Sequence, residues 1–272
     1  MIAQLTTPRR QKRFRQACRG KLALGTFMAL DAALFCKSQP WRFYAAPTLA
    51  LELNGTTAWA AGHANPEELA GFLGFCGCEQ VVLDDKECPP PAGWHRTGTL
   101  TVFGLASAAA LPLPEVDETL WSQLTLDRDP PSGEVAKALY PEEGAKQEDL
   151  YSELCSKRIR SKAQVWALRK DGSILCTVGA YAIQDGCAYM ACGQTDPTLR
   201  GRGIGGRLIV QFANEFAAAG MQPVFLCAEQ RVHFYTRLGF KKLGEYAQYG
   251  PSQKDDRGSD PQEGIRRSKC QC

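Results

Sequence analysis

The chain has 272 residues, enough for one large domain or two small ones at about 100 to 200 residues each. Its 44% hydrophobic, 22% charged and 9% aromatic residues exclude wholesale disorder, a fibrous repeat and a membrane bundle. Lys plus Arg number 32 against 29 for Asp plus Glu, and a net charge of +3 is too small to argue for nucleic-acid binding.

The positive charge is unevenly placed. Arg9, Arg10, Lys12, Arg13, Arg15, Arg19 and Lys21 all precede the first acid, Asp31, making a basic arm that reads as a solvated helix start. Asp31 interrupts the apolar run that follows, so the start does not read as a secretory signal. Leu22, Thr26, Leu30 and Leu34 recur at helical spacing and predict an amphipathic first helix ending at Gln39-Pro40. Extended segments over 43–53 and 56–61 are joined by the hairpin signal Asn54-Gly55. Asn65-Pro66-Glu67-Glu68 supplies a cap, a proline at the first helical position and first-turn acids, which predicts a helix over 66–75. Short strands follow at 81–83 and 100–105. This half reads as a small α/β sandwich over 1–110.

Pro112, Pro114, Pro130, Pro131 and Pro141 mark 111–145 as a connecting region. A helix is expected from Glu148 to Arg160, with Leu150, Leu154 and Ile159 facing inward. Strands over 163–169 and 174–183 flank the turn Lys170-Asp171-Gly172, and a third covers 188–192. A helix over 203–219, a strand over 224–227, a helix through Phe234 and Leu238 and a strand over 240–247 complete the pattern. The polar tail 251–272 is expected to be disordered. The 12 cysteines lie singly in apolar runs and read as reduced thiols. Cys76/Cys78 and Cys270/Cys272 have the wrong gap for a zinc site, so no metal is expected.

The informative stretch is Thr195-Asp196-Pro197-Thr198-Leu199-Arg200-Gly201-Arg202-Gly203-Ile204-Gly205-Gly206-Arg207. Glycines before a helix let the backbone approach a ligand, and the first-turn amides then face an anion. From Gly201 the string also spells a dinucleotide fingerprint, with Glu229 as the ribose acid. That fold needs the strand to run straight into the first glycine and several more strands to follow, and here it does neither.

Read from Arg200, Arg200-Gly201-Arg202-Gly203-Ile204-Gly205 resembles the [QR]-x-x-G-x-[GA] motif of the GCN5-related N-acetyltransferases (GNAT superfamily). Phe234-Tyr235-Thr236-Arg237-Leu238-Gly239-Phe240 resembles that family's F-Y-x-x-L-G-F ending, so the resemblance covers about 146–250. The helix Tyr151–Arg160 is similar to the opening of the acetyltransferase half in bacterial members with two tandem halves. The resemblance implies an α/β (α+β) chain of two three-layer halves, each a mixed, mostly antiparallel sheet flanked by helices, with the N-terminal half degenerate.

The resemblance further implies acetyl-CoA as co-substrate and an N-acetyltransferase acting on a primary amine of a small molecule or protein. Its diphosphate would meet the turn of Arg200, Gly201, Arg202, Gly203, Ile204, Gly205, Gly206 and Arg207. The amides of Cys192, Gly193, Gln194 and Thr195 would hold the pantetheine and acetyl groups. Tyr235 would protonate the leaving thiolate while Phe234 does the packing. Ala228 stands where the family often has Asn, and no base is evident: Asp185, Asp196, Glu229 and His233 read as turn formers, caps or surface charges. A cytoplasmic protein, with a homodimer allowed, no membrane and nucleic acid disfavoured, completes the expectation. The alternative is a catalytically idle CoA sensor or protein-interaction module.

Overall fold

The computed structural model describes residues 1–38, 41–105, 109–142 and 144–252. They divide into two compact units: Met1–Leu100 with residues 245–252, and Thr101–Gly244. This division differs from the expected boundaries of 1–110, 111–145 and 146–250. The proline-rich stretch is no mere connector, because its prolines sit beside short elements that bury Leu120, Val135, Ala136 and Leu139. From residue 253 the expected tail, with Cys270 and Cys272, lies outside the described residues, as does the expected helix stop at Gln39-Pro40.

The first unit opens with β1 (Ala3–Gln4), α1 (Pro8–Cys18) and α2 (Leu24–Phe35). The basic arm is itself the helix α1: Thr7 accepts a hydrogen bond from the Arg10 N–H, and Pro8 takes the first turn. The following helix is α2, apolar nearly all round rather than amphipathic, and buries Leu24, Met28, Leu30 and also Asp31. Next come β2 (Arg42–Ala45), β3 (Leu49–Asn54), β4 (Thr57–Gly62), α3 (Pro66–Phe75), β5 (Gln80–Leu83) and β6 (Trp94–Gly104). Asn54 pairs with Thr57 across a tight turn, and Asn65 Oδ1 accepts from the Glu68 N–H at 2.9 Å. Leu49, Leu51 and Leu53 pack with Leu69 and Leu73 of α3 on one face of the sheet. On the other side Phe14 of α1 meets Phe43, and Phe27 of α2 meets Trp59 edge-on.

The second unit continues with α4 (Glu118–Trp121), β7 (Thr125–Asp127), α5 (Ser132–Leu139) and α6 (Ala145–Arg158). Then follow β8 (Gln164–Lys170), β9 (Ser173–Gln184), β10 (Cys187–Thr195), α7 (Ile204–Ala218), β11 (Gln222–Ala228), α8 (Val232–Arg237) and β12 (Lys241–Pro251). Asp171 and Gly172 both take positive φ, as a two-residue turn between β8 and β9 requires. Side chains alternate across the sheet. Trp166, Leu168, Val178 and Ala180 pack under α7, while Val165 and Tyr181 face α5 and α6. Ile159, expected inward, is 83% exposed, because α6 ends at Arg158 and the residue falls beyond its apolar face.

The two units repeat one element order, β1-α1-α2-β2-β3-β4-α3-β5 and β7-α5-α6-β8-β9-β10-α7-β11. Their strand orders match as well: β1-β2-β3-β4-β5-β12 in the first and β7-β8-β9-β10-β11-β6 in the second. Each contains a parallel pair at the same place in the order, β4/β5 and β10/β11. Each sheet is completed by a strand from the other half of the sequence. Leu154→Ala, in the core of α6, should cost about 2–5 kcal/mol, whereas Ile159→Lys should stay within about 0.5 kcal/mol; urea unfolding followed by circular dichroism measures both.

Candidate acyl-donor site

The site grows from a fault in the sheet. β10 and β11 run parallel but pair only at Cys187↔Gln222, Ala188↔Pro223 and Tyr189↔Val224. β10 then continues to Thr195 and β11 to Ala228 with no further paired register. On its other edge β10 pairs with β9, and that ladder is shifted between Ala191 and Gln194, leaving Cys192 and Gly193 out of register. Beyond Tyr189 the edge of β10 that faces β11 is therefore left without a partner strand, while Gln194 and Thr195 keep their register with β9 on the other edge, and backbone groups on an unpaired edge are ready hydrogen-bond partners.

A cleft occupies the gap, lined by Val178, Met190, Gly193, Ile209, Phe225 and Tyr235. Its walls are apolar. Among the described lining residues, Tyr235 alone carries an ionisable side chain. The expected division of labour between the aromatics of α8 is reversed: Tyr235 is 6% exposed and Phe234 is 36% exposed. Tyr235 packs at 4.5 Å from Phe225 and 5.9 Å from Phe103, ring centre to ring centre. The helix α8 turns that side chain onto the sheet because it is the residue between Val232 and Leu238 on the inner face, and Phe234 falls beside it.

Beyond Thr195 the chain makes a single 3₁₀ turn, Pro197–Leu199, capped by Asp196. Asp196 accepts from the N–H and hydroxyl of Thr198, and those bonds hold its carboxyl below the usual range. Arg200 Nε donates to the Thr195 carbonyl at 3.1 Å and closes the turn. Gly203, in left-handed conformation at φ 78°, caps α7 with no side-chain hydrogen bond. The first-turn N–H groups of a helix have no intrahelical acceptor, so those of Ile204, Gly205 and Gly206 remain available to an anion. The Ile204 side chain itself is buried in the core, so only its backbone belongs to the turn.

Gly203 and Gly205 serve contacts within the protein. A Cβ on Gly203 would stand 2.3 Å from the Glu115 carbonyl, and one on Gly205 would stand 2.5 Å from Thr195 Oγ1. The segment 111–121 accounts for the first contact. Leu111 exchanges two hydrogen bonds with the Asn214 side chain, at 2.8 and 2.9 Å, and the Asp117 N–H donates to the Arg202 carbonyl at 3.2 Å. Asp117 faces Arg202 at 3.8 Å, and Glu118 pairs with Arg207 at 2.5 Å. This acidic segment lies in the stretch that its prolines marked as a connector, and its contacts with the turn were not legible in the sequence.

The remaining candidates fall where turn chemistry puts them. Asp185 has φ 50° in the β9–β10 turn, Glu229 opens a 3₁₀ turn, and His233 is exposed. Burial lifts the Cys176 thiol to about 11, so it stays protonated beside Thr195 at neutral pH. Among the described residues no group of three or more metal-ligating side chains is present.

Residues 161–242 match the family model of the acetyltransferase (GNAT) domain. This segment belongs to the GNAT superfamily. Solved structures extend the likeness over both units. A GCN5-related N-acetyltransferase from Kribbella flavida is 17% identical, covers 87% of this chain and 97% of its own, and has a TM-score of 0.59. Another from Sphaerobacter thermophilus is 15% identical over 92% of this chain and 94% of its own, at 0.60. A tandem GNAT protein from the clavulanic acid biosynthesis pathway is 13% identical, covering 93% and 99%, at 0.59. At these identities the likeness is one of fold. No curated protein matches the chain.

Gly201 and Gly203 separate conformation from contact. Both have positive φ, but nothing lies within 4 Å of a Cβ on Gly201. Gly201→Ala should therefore cost about 1–2 kcal/mol, and Gly203→Ala distinctly more, as a lower thermal midpoint for the second variant would show.

Proposed function

We propose that the chain moves an acetyl group from acetyl-CoA to a primary amine of a small molecule or protein, by direct attack in a ternary complex. The observation that carries this reading is the parting of β10 from β11 after Tyr189, beside a cleft that contains one ionisable side chain, Tyr235. The described residues fit the donor: an uncapped helix start for a diphosphate, an open strand edge for an amide-bearing arm and an apolar pocket for a thioester.

Acetyl-CoA supplies the acyl group as a thioester. The first-turn amides of Ile204, Gly205 and Gly206, with Arg200, Gly201, Arg202, Gly203 and Arg207, hold the diphosphate. The backbone N–H groups of Cys192 and Gly193 donate to the carbonyl oxygen as it gains negative charge, with Gln194 and Thr195 continuing the strand for the pantetheine. Preorganised amides act this way at a gain of a few kcal/mol. Tyr235 gives its phenolic proton to the departing sulfur. Met190, Phe225 and Ile209 keep water from the reacting centre.

The amine arrives neutral and releases its proton to solvent, since neither carboxylate nor imidazole lines the cleft among the described residues. That same feature favours the second reading, a CoA-binding module without turnover. Acetyl-CoA at about one hundred times its dissociation constant should add roughly 2.7 kcal/mol of stability and several degrees of melting temperature. A flat melting curve overturns the donor assignment, and a shift without turnover of any simple amine selects the idle module. In an active enzyme, Tyr235→Phe should lower kcat about a hundredfold while leaving acetyl-CoA binding in place, and kcat/KM should rise with pH up to the pKa of the acceptor itself.

A further inference from the structure

Segment 111–121 lies against the turn that the donor reading assigns to the diphosphate. The Glu115 carbonyl takes the space of a Gly203 Cβ, and Asp117 and Glu118 each oppose one of the turn's guanidiniums, on Arg202 and Arg207. We propose that Asp117 and Glu118 are built-in counter-ions of the cradle, which set how tightly it holds an anionic acyl donor. The inference rests on the donor reading and adds to it the residues that tune it.

The two ends of the stronger pair differ in freedom. The Arg207 side chain is 19% exposed, its guanidinium lies 5.1 Å over the Trp121 ring, and its Nε is buried with no hydrogen-bond partner among the described residues. Glu118 is 71% exposed. The cation is thus fixed and half-satisfied, and the carboxylate is the partner able to swing into solvent. An exposed carboxylate holds a cation weakly, whereas phosphate oxygens meet a guanidinium with two parallel charge-assisted bonds. Binding of a diphosphate then exchanges one set of ion pairs for another. Each exchange subtracts from affinity the free energy of the pair it breaks. It also leaves the count of ion pairs nearly unchanged, so salt should affect donor binding little in the native chain.

Asp117 also caps α4, its Oδ1 accepting from the Leu120 N–H at 3.0 Å, and Asn caps as well as Asp does. The variant D117N/E118Q therefore removes both charges and keeps the local fold, which its thermal midpoint without ligand checks. Isothermal titration of acetyl-CoA into the full chain, native and D117N/E118Q, at two salt concentrations, is the test. The expected result is a dissociation constant about fivefold lower in the variant, with a steeper loss of affinity as salt rises. Equal or weaker binding by a folded variant overturns the counter-ion assignment alone. Absence of binding by both proteins overturns the donor reading, and this inference with it.

Discussion

The second unit is organised by the separation of two parallel strands. A sheet gains a hydrogen bond for every paired group, and β10 and β11 give up that pairing after Tyr189. The walls of the cleft between them are rings and aliphatic side chains: Tyr235 beside Phe225, with Ile209 of α7 and Met190 of β10. Burial of apolar groups of this kind offsets lost ladder bonds. The shifted register at Cys192 and Gly193 extends the opening to the backbone.

The first unit repeats the topology with a different helix start. Its α3 occupies the place of α7, but that helix starts at Asn65-Pro66 with Glu67 and Glu68 in the first turn. The Asn65 side chain takes up one amide, and the two acids already complement the positive end of the helix. Glu68 is also engaged by the N–H of Ile2 at 2.7 Å, and hydrogen bonds from the Met1 amine and from that N–H hold its carboxyl below the usual range. The first turn of α7 carries no acid of its own and no side-chain cap. The two helix starts thus differ in the groups they leave to a ligand, although the helices hold the same place in the topology.

Local chemistry was legible in the sequence wherever a residue acts alone. Asn65-Pro66 capped the helix it should cap, and Lys170-Asp171-Gly172 made the expected turn. The glycine turn and the F-Y-x-x-L-G-F run fell on a helix start and on α8. What could not be read depends on which neighbour arrives. α1 was hidden by its charge, although Thr7-Pro8 is an ordinary helix start. Phe234 and Tyr235 exchanged places because only the approach of Phe225 and Phe103 decides which ring is covered. That a Cβ on Gly203 would meet the backbone of Glu115, nearly ninety positions earlier in the chain, is likewise not written in the turn itself.

The exchange of β6 and β12 bears on how such a chain can be made. The first sheet takes its last strand from residues 245–251, and the second takes one of its strands from 101–104. During synthesis the first unit therefore emerges with β5 lacking its outer neighbour, and it stays so until the whole of the second unit has been made. Folding unit by unit in chain order, the usual route for a protein of this length, leaves the first sheet one strand short until β12 arrives. An unpaired edge on β5 is thus held open for the time it takes to make about 160 residues.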